Sequence, residues 1–161
     1  MQFAVARGGT VIGTAAERNH QFLQSLGVAP TSYGPGIVER VRALSQNGID
    51  AVVDCAGGAV PDLVALAGDP ARVVTIADLD AAAHGVHLSH GAPTDETGTT
   101  AVPHADPLAL HGLTAAATLA EQGLLRVPVA ATFSLDRAAE AHALSEGRHV
   151  PGRIVLTSGG G

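Results

Sequence analysis

Three short runs constrain this chain more than anything else in it: Thr10–Gly13 (T-V-I-G), Asp50–Asp54 (D-A-V-V-D) and Arg72–Ala77 (R-V-V-T-I-A). Each is apolar on consecutive residues, not on alternate ones, and is rich in Val and Ile. A strand apolar on both faces must be covered on both faces, as in a parallel sheet lying between helices. Stretches with helical spacing separate these runs, so the order of elements predicts an α/β fold with a mostly parallel sheet flanked by helices. Helices are expected over Glu17–Leu26, stopped by Gly27, over Ile37–Leu44, with Ile37, Val38, Val41 and Leu44 in register, and over Pro61–Ala67. A very short strand is expected at Thr31–Tyr33, and a sheet-edge strand at Gly85–Ser89. Ala92–Pro103, rich in Thr, Gly and Pro, reads as a mobile loop. A long helix follows over His104–Gln122, then a strand at Val129–Phe133, a helix over Leu135–Ser145 and a last strand at Arg153–Thr157. The Ser158–Gly161 tail is expected to be loose.

Composition removes several function classes. Hydrophobic residues make up 46% and charged residues 15%, too apolar for a disordered chain. The formal net charge is −6, and the arginines form no cluster, which disfavours phosphate-neutralising contacts with nucleic acid. No run of about 18 apolar residues exists, so no membrane span is expected, and no basic flank and apolar run mark a secretory signal. The single cysteine, Cys55, excludes an internal disulfide and fits a cytoplasmic protein. A lysine-free, Ala- and Gly-rich chain fits a GC-rich bacterial genome.

Seven segments together resemble a known family: G-T-A-A-E-R-N (Gly13–Asn19), S-L-G-V (Ser25–Val28), S-Y-G (Ser32–Gly34), G-I-D-A-V-V-D-C-A-G-G (Gly48–Gly58), R-V-V-T-I-A-D (Arg72–Asp78), G-L-L-R-V-P-V (Gly123–Val129) and G-R-I-V-L (Gly152–Leu156). They are similar to the cofactor-binding part of medium-chain dehydrogenase/reductases, in the zinc-free NADPH-dependent quinone-oxidoreductase branch. The resemblance runs from Met1 to Thr157. It implies a truncated Rossmann-like domain over residues 1–123. A C-terminal helix–strand segment over residues 124–161 packs on that domain or on a partner. The family's GroES-like catalytic domain has no counterpart in the sequence. Neither does the glycine-rich phosphate loop, since no G-x-G-x-x-G is present. M-Q-F-A-V-A-R-G-G matches the end of the helix that follows that loop. The strand that precedes the loop would lie between Thr10–Gly13 and Asp50–Asp54, so the sheet is expected to close there or to be filled by another strand or chain.

The resemblance places Thr14, Arg18 and Tyr33 at the adenosine end of NADPH, with the Arg18 guanidinium facing a 2′-phosphate. Without a phosphate loop, the isolated chain is expected to hold no cofactor, or NADPH only weakly. Asp54 and Asp78 each end a strand, where open α/β sheets place ligands. With Cys55 they rim one cleft. As catalytic candidates they act as general bases if burial raises their pKa; the plainer reading has both capping loops beside an inert Cys55. His90 joins them as an acid–base candidate, because imidazole titrates near neutrality. His84, His87, His90, His104 and His111 do not have zinc-site spacing, and no metal is expected.

Three functions follow. The first reading is a repurposed, cofactor-independent tailoring enzyme of cyclase, isomerase or hydrolase type acting on a small organic molecule. The second is an NADPH-dependent quinone or enone oxidoreductase completed by a separate catalytic domain. The third is a non-catalytic binding or assembly module. A homodimer is expected through the Gly85–Ser89 sheet edge, testable by Val86→Pro, with the apolar set Val127, Val129, Phe133, Leu135, Ile154 and Leu156 as a second surface.

Overall fold

The computed structural model describes residues 1–45, 47–89, 107–147, 150 and 152–158. It divides into two compact units, Met1–Thr114 and Ala115–Gly161. Every strand pairing among the described residues is parallel.

The first unit opens with helix α1 (Gln2–Ala6), strand β1 (Ile12–Thr14), a tight helical turn at Glu17–Asn19 and helix α2 (His20–Ser25). Strand β2 (Ala29–Thr31) pairs with β1, Thr14 opposite Thr31. Helix α3 (Ile37–Leu44) then leads to strand β3 (Val52–Asp54), helix α4 (Val60–Ala67), strand β4 (Val73–Thr75) and strand β5 (His87–Leu88). The second sheet has the order β3-β4-β5. Its core is one face of α4, Val60, Leu63 and Ala67, laid on Val73, Ala81 and Val86. The i, i+3, i+7 spacing of that α4 face is what a helix needs to cover a sheet.

The two sheets share no ladder among the described residues. They are joined through helices: α3 packs on β2 and on α4, and α4 packs on β3 and β4. The Arg42 guanidinium reaches across this helix pair to the Ala65 carbonyl at 3.4 Å. Taken separately, the two sheets have the orders β2-β1 and β3-β4-β5. A doubly wound sheet of order 3-2-1-4-5-6 has this pattern with strand 1 taken out. Of the two expected outcomes, direct pairing of the halves is not seen among the described residues.

Local differences from the sequence reading have physical causes. The short strand lies at Ala29–Thr31, two residues before its expected place. Pro30 is tolerated there because β2 is an edge strand, where the missing N–H faces outward. The Gly85–Ser89 strand is shorter, His87–Leu88, because the Val86 amide donates to the Ala81 carbonyl at 3.1 Å and the Val86 side chain is buried. A proline at 86 therefore breaks a core contact, not only an edge; Leu88 is the strand position turned outward. The expected mobile loop, His90 and His104 lie outside the described residues, as does the His111 side chain.

The second unit holds strand β6 (Val129–Ser134), helix α6 (Ala138–Glu146) and strand β7 (Arg153–Thr157), with β6 and β7 paired and α6 packed on both. Helix α5 (Pro107–Glu121) precedes them. Arg137 stacks over Phe133 with its guanidinium carbon 5.3 Å from the ring centre and pairs with Glu140 at 2.7 Å. Val127, Val129, Leu135 and Leu156 are exposed.

Candidate functional site

Two groups of side chains gather at carboxyl ends of strands in the first unit. The first is the end of β3–β4. Asp54 closes β3, and its carboxylate turns back on the following loop. Oδ1 accepts from the amides of Ala56 (3.0 Å) and Gly57 (3.1 Å), and Oδ2 accepts from the Thr75 hydroxyl at 2.7 Å. Thr75 is fully buried and its Oγ1 in turn accepts from the amides of Ala77 and Asp78, both at 3.1 Å. Asp78 continues the chain of contacts: Oδ2 accepts from the Gly58 amide at 3.1 Å and Oδ1 from the Asp80 amide at 3.0 Å. Gly57 has φ +76°, a conformation a side chain resists, and that turn aims its N–H at Asp54.

The electrostatics follow from those donors. Burial alone pushes the Asp54 carboxyl up, but the Thr75 hydroxyl and the amides of Ala56 and Gly57 outweigh it and hold the pKa below the ordinary value. A general base with a raised pKa was the condition for acid–base chemistry at Asp54; the direction found is the opposite. Three donors stabilise the ionised form, and both Asp54 and Asp78 cap loops. Cys55, next in the chain, is exposed.

The second group sits at the end of β1–β2. Thr14 is the last residue of β1 and lies opposite Thr31, the last of β2. Arg18 follows in the tight turn after β1, and Tyr33 lies two residues beyond β2. All three are exposed, Tyr33 at 65%. The structure thus brings Thr14, Arg18 and Tyr33 to one end of one strand pair, and Asp54 and Asp78 to the end of another. The loop carrying Tyr33 is fixed from beneath by Arg40. Its guanidinium donates to the carbonyls of Ser32 (2.9 Å), Pro35 (2.7 Å), Gly34 (3.2 Å) and Tyr33 (3.4 Å). Five fixed donors make arginine suited to gathering several carbonyls.

Sequence reasoning missed Thr75 and Arg40. For Thr75 a signal existed: a threonine three residues before Asp78 at a strand end is placed to cap the turn that follows. For Arg40 none did, since its partners lie five to eight residues away across a turn. Among the described residues, no group of three or more His, Cys, Asp or Glu is placed to hold a metal ion. No helix among them is long and apolar enough to cross a membrane.

Parallel strands with helical crossovers, and exposed polar residues at their carboxyl ends, define a Rossmann-type α/β protein. Residues 31–156 match the zinc-binding dehydrogenase family, and the chain belongs to that family, within the medium-chain dehydrogenase/reductase superfamily. A trans-enoyl reductase, himH, from Aspergillus japonicus is 37% identical over 71 residues, which is 43% of this chain and 20% of that protein. Among solved structures, an NAD-dependent alcohol dehydrogenase superposes with a TM-score of 0.71 at 24% identity, covering 98% of this chain and 46% of that one. The quinone oxidoreductase from Coxiella burnetii gives 0.60 at 26% identity, with 96% and 47% coverage. The chain therefore spans about half the length of these structures. Its homologues are oxidoreductases and enoyl reductases of this superfamily.

Proposed function

We propose that this chain is the nucleotide-recognising half of an NADPH-dependent enone or quinone reductase, and that the β1–β2 end is its contact with the 2′-phosphate of the adenosine. The observation that carries the reading is Arg18. It is an exposed cation with no hydrogen bond among the described residues, at a strand end that closes on Thr14 and not on an acidic residue. A guanidinium suits a phosphate dianion, and the absence of a carboxylate at the strand end removes the acceptor that a ribose diol needs. Thr14 offers a hydroxyl beside it, and Tyr33, held by the Arg40 clamp, offers a ring face to the adenine. NADPH, when bound, supplies the hydride for reduction of a polarised small-molecule double bond or quinone. The residues of this chain hold and orient its adenosine end.

The fit is partial. The sequence contains no glycine-rich loop to hold a pyrophosphate, so the isolated chain binds NADPH more weakly than low micromolar. The reading as a cofactor-independent cyclase, isomerase or hydrolase drew on Asp54, Asp78 and His90. The first two serve as loop acceptors, and the third lies outside the described residues. The assembly is a cytoplasmic homodimer joined along the outer edge of β5. Leu88→Pro removes the outward amide there and returns the chain to a monomer of 16.1 kDa by light scattering.

Calorimetric titration tests the cofactor reading. NADPH is expected to bind more tightly than NADH, and Arg18→Ala to abolish the difference while NADH binding stays as it was. Equal affinities in the unaltered chain would defeat it.

A further inference from the structure

We propose that Asn47 is a self-modifying residue, converted without any other protein to a mixture of aspartate and isoaspartate when the Gly48 amide attacks its side chain. The inference is independent of which nucleotide binds. The chain has two asparagines, Asn19 and Asn47, and the structure treats them in opposite ways. An asparagine side-chain amide has one internal nucleophile beside it, the backbone nitrogen of the next residue, and holding the two together makes the attack unimolecular. The reaction needs that nitrogen to be free and the chain around it able to turn. At Asn19 neither condition holds. The next amide, that of His20, donates to the Glu17 carbonyl, and the Asn19 amide donates to the Ala16 carbonyl at 2.8 Å. The His20 ring is itself held, with Nε2 3.1 Å from the Ala15 carbonyl oxygen.

Asn47 stands in the turn between α3 and β3, and both it and Gly48 are exposed. The Gly48 amide has no hydrogen bond among the described residues. Gly48 takes φ +84°, and a carbon placed at its Cβ position meets no atom within 4 Å. No side chain shields the nitrogen, and glycine changes conformation at little steric cost. The turn is closed by the Ser45 hydroxyl, which donates to the Gly48 carbonyl at 2.6 Å. That bond engages the Gly48 carbonyl and not its nitrogen.

The step balances with water as the only co-reactant. The Gly48 nitrogen gives up its proton and bonds to Asn47 Cγ. The Cγ–Nδ2 bond breaks, and the amide nitrogen takes up a proton and leaves as ammonia. Water then opens the cyclic imide. Cleavage at the side-chain carbonyl gives aspartate on the original main chain; cleavage at the main-chain carbonyl gives isoaspartate, with the main chain rerouted through Cγ. Nothing is oxidised or reduced. Either product adds a negative charge to a chain of formal net charge −6. Isoaspartate also lengthens the main chain between Ser45 and Gly48, the span that their hydrogen bond closes, and so loosens the link from α3 to β3.

Peptide mapping by mass spectrometry tests the site on the full chain, incubated in mildly alkaline buffer. Asn47 is expected to lose its side-chain amide at least about tenfold faster than Asn19, whose neighbouring amide must first be freed. Part of the product is expected to be isoaspartate, detected by labelling with an isoaspartyl methyltransferase. Isoelectric focusing is expected to show the modified chain as a band at lower pH. Asn47→Gln sets the side-chain amide one methylene further out in an exposed turn, and is expected to remove both signals with the far-UV circular dichroism unchanged. Urea is expected to quicken the loss at Asn19 by releasing the His20 amide, and to leave the Asn47 rate within about twofold of its folded value. Persistence of the Asn47 amide, equal rates at the two asparagines in the folded chain, or aspartate without isoaspartate would each overturn the proposal. So would an Asn47 rate that rises in urea as much as the Asn19 rate.

Discussion

The carboxyl ends of β1–β2 and of β3–β4 occupy comparable places in the sheet, yet their side chains do opposite things. At β3–β4 the side chains of Asp54, Thr75 and Asp78 all have protein partners: Asp54 takes three donors, Thr75 gives one bond and accepts two, and Asp78 takes two amides. At β1–β2 the exposed Thr14, Arg18 and Tyr33 side chains are turned to solvent, and only the loop beneath Tyr33 is tied down. The first end is taken up by its own contacts, and the proposed function assigns the second to a ligand. Position at a strand end did not separate the two; the count of satisfied donors and acceptors did.

Substitutions sharpen this contrast. Asp54→Ala is expected to have the largest effect on stability, about 3 kcal/mol, because it strands the buried Thr75 hydroxyl and two loop amides at once. Thermal unfolding would show it as a drop of roughly 6–12 °C for a chain of this size. Thr75→Val keeps the shape but removes the bridge, at about 2 kcal/mol by urea denaturation. Gly57→Ala must adopt a left-handed conformation against the Ala77 carbonyl, 3.1 Å from the added carbon, and is expected to cost about 1 kcal/mol. Arg18→Ala is expected to change stability by less than about 0.5 kcal/mol. If Arg18→Ala proved as costly as Thr75→Val, the division between a structural end and a ligand end would fail.

Acid titration addresses the same contrast. The Asp54 pKa is lowered in the fold, so its contribution is fully present above the unfolded value of roughly 3.9. It is lost as pH falls from there through the lower folded value, where the native carboxylate is protonated last. Thermal stability is therefore expected to fall more steeply below about pH 4 in the unaltered chain than in Asp54→Asn.

Much of this was legible in the residues. Ile37–Leu44 and Arg153–Thr157 were read to the residue, since an amphipathic period and a β-branched run each leave one solution. β2 was misplaced because Pro30 argues against a strand until one knows the strand lies at an edge. Thr14, Arg18 and Tyr33 could be named together because they match local motifs of the family, and their places after β1 and β2 follow from those motifs. The Asp54–Thr75 bond was not, because the two residues are 21 apart and meet only when β3 and β4 pair. The division of the sheet was foreshadowed by the missing strand, but not its persistence as two separately paired halves joined by α3 and α4.

The central claim is that the β1–β2 end recognises a 2′-phosphate through Arg18. The chain contains one tyrosine, Tyr33, and no tryptophan, so intrinsic fluorescence reports from the candidate site alone. Titration with 2′,5′-ADP is expected to quench that signal saturably, with 5′-AMP binding about tenfold more weakly, a difference of roughly 1.4 kcal/mol. Arg18→Ala is expected to bring the two ligands to the same affinity. Equal quenching by both ligands in the unaltered chain, or a 2′-phosphate preference that survives Arg18→Ala, would contradict the account.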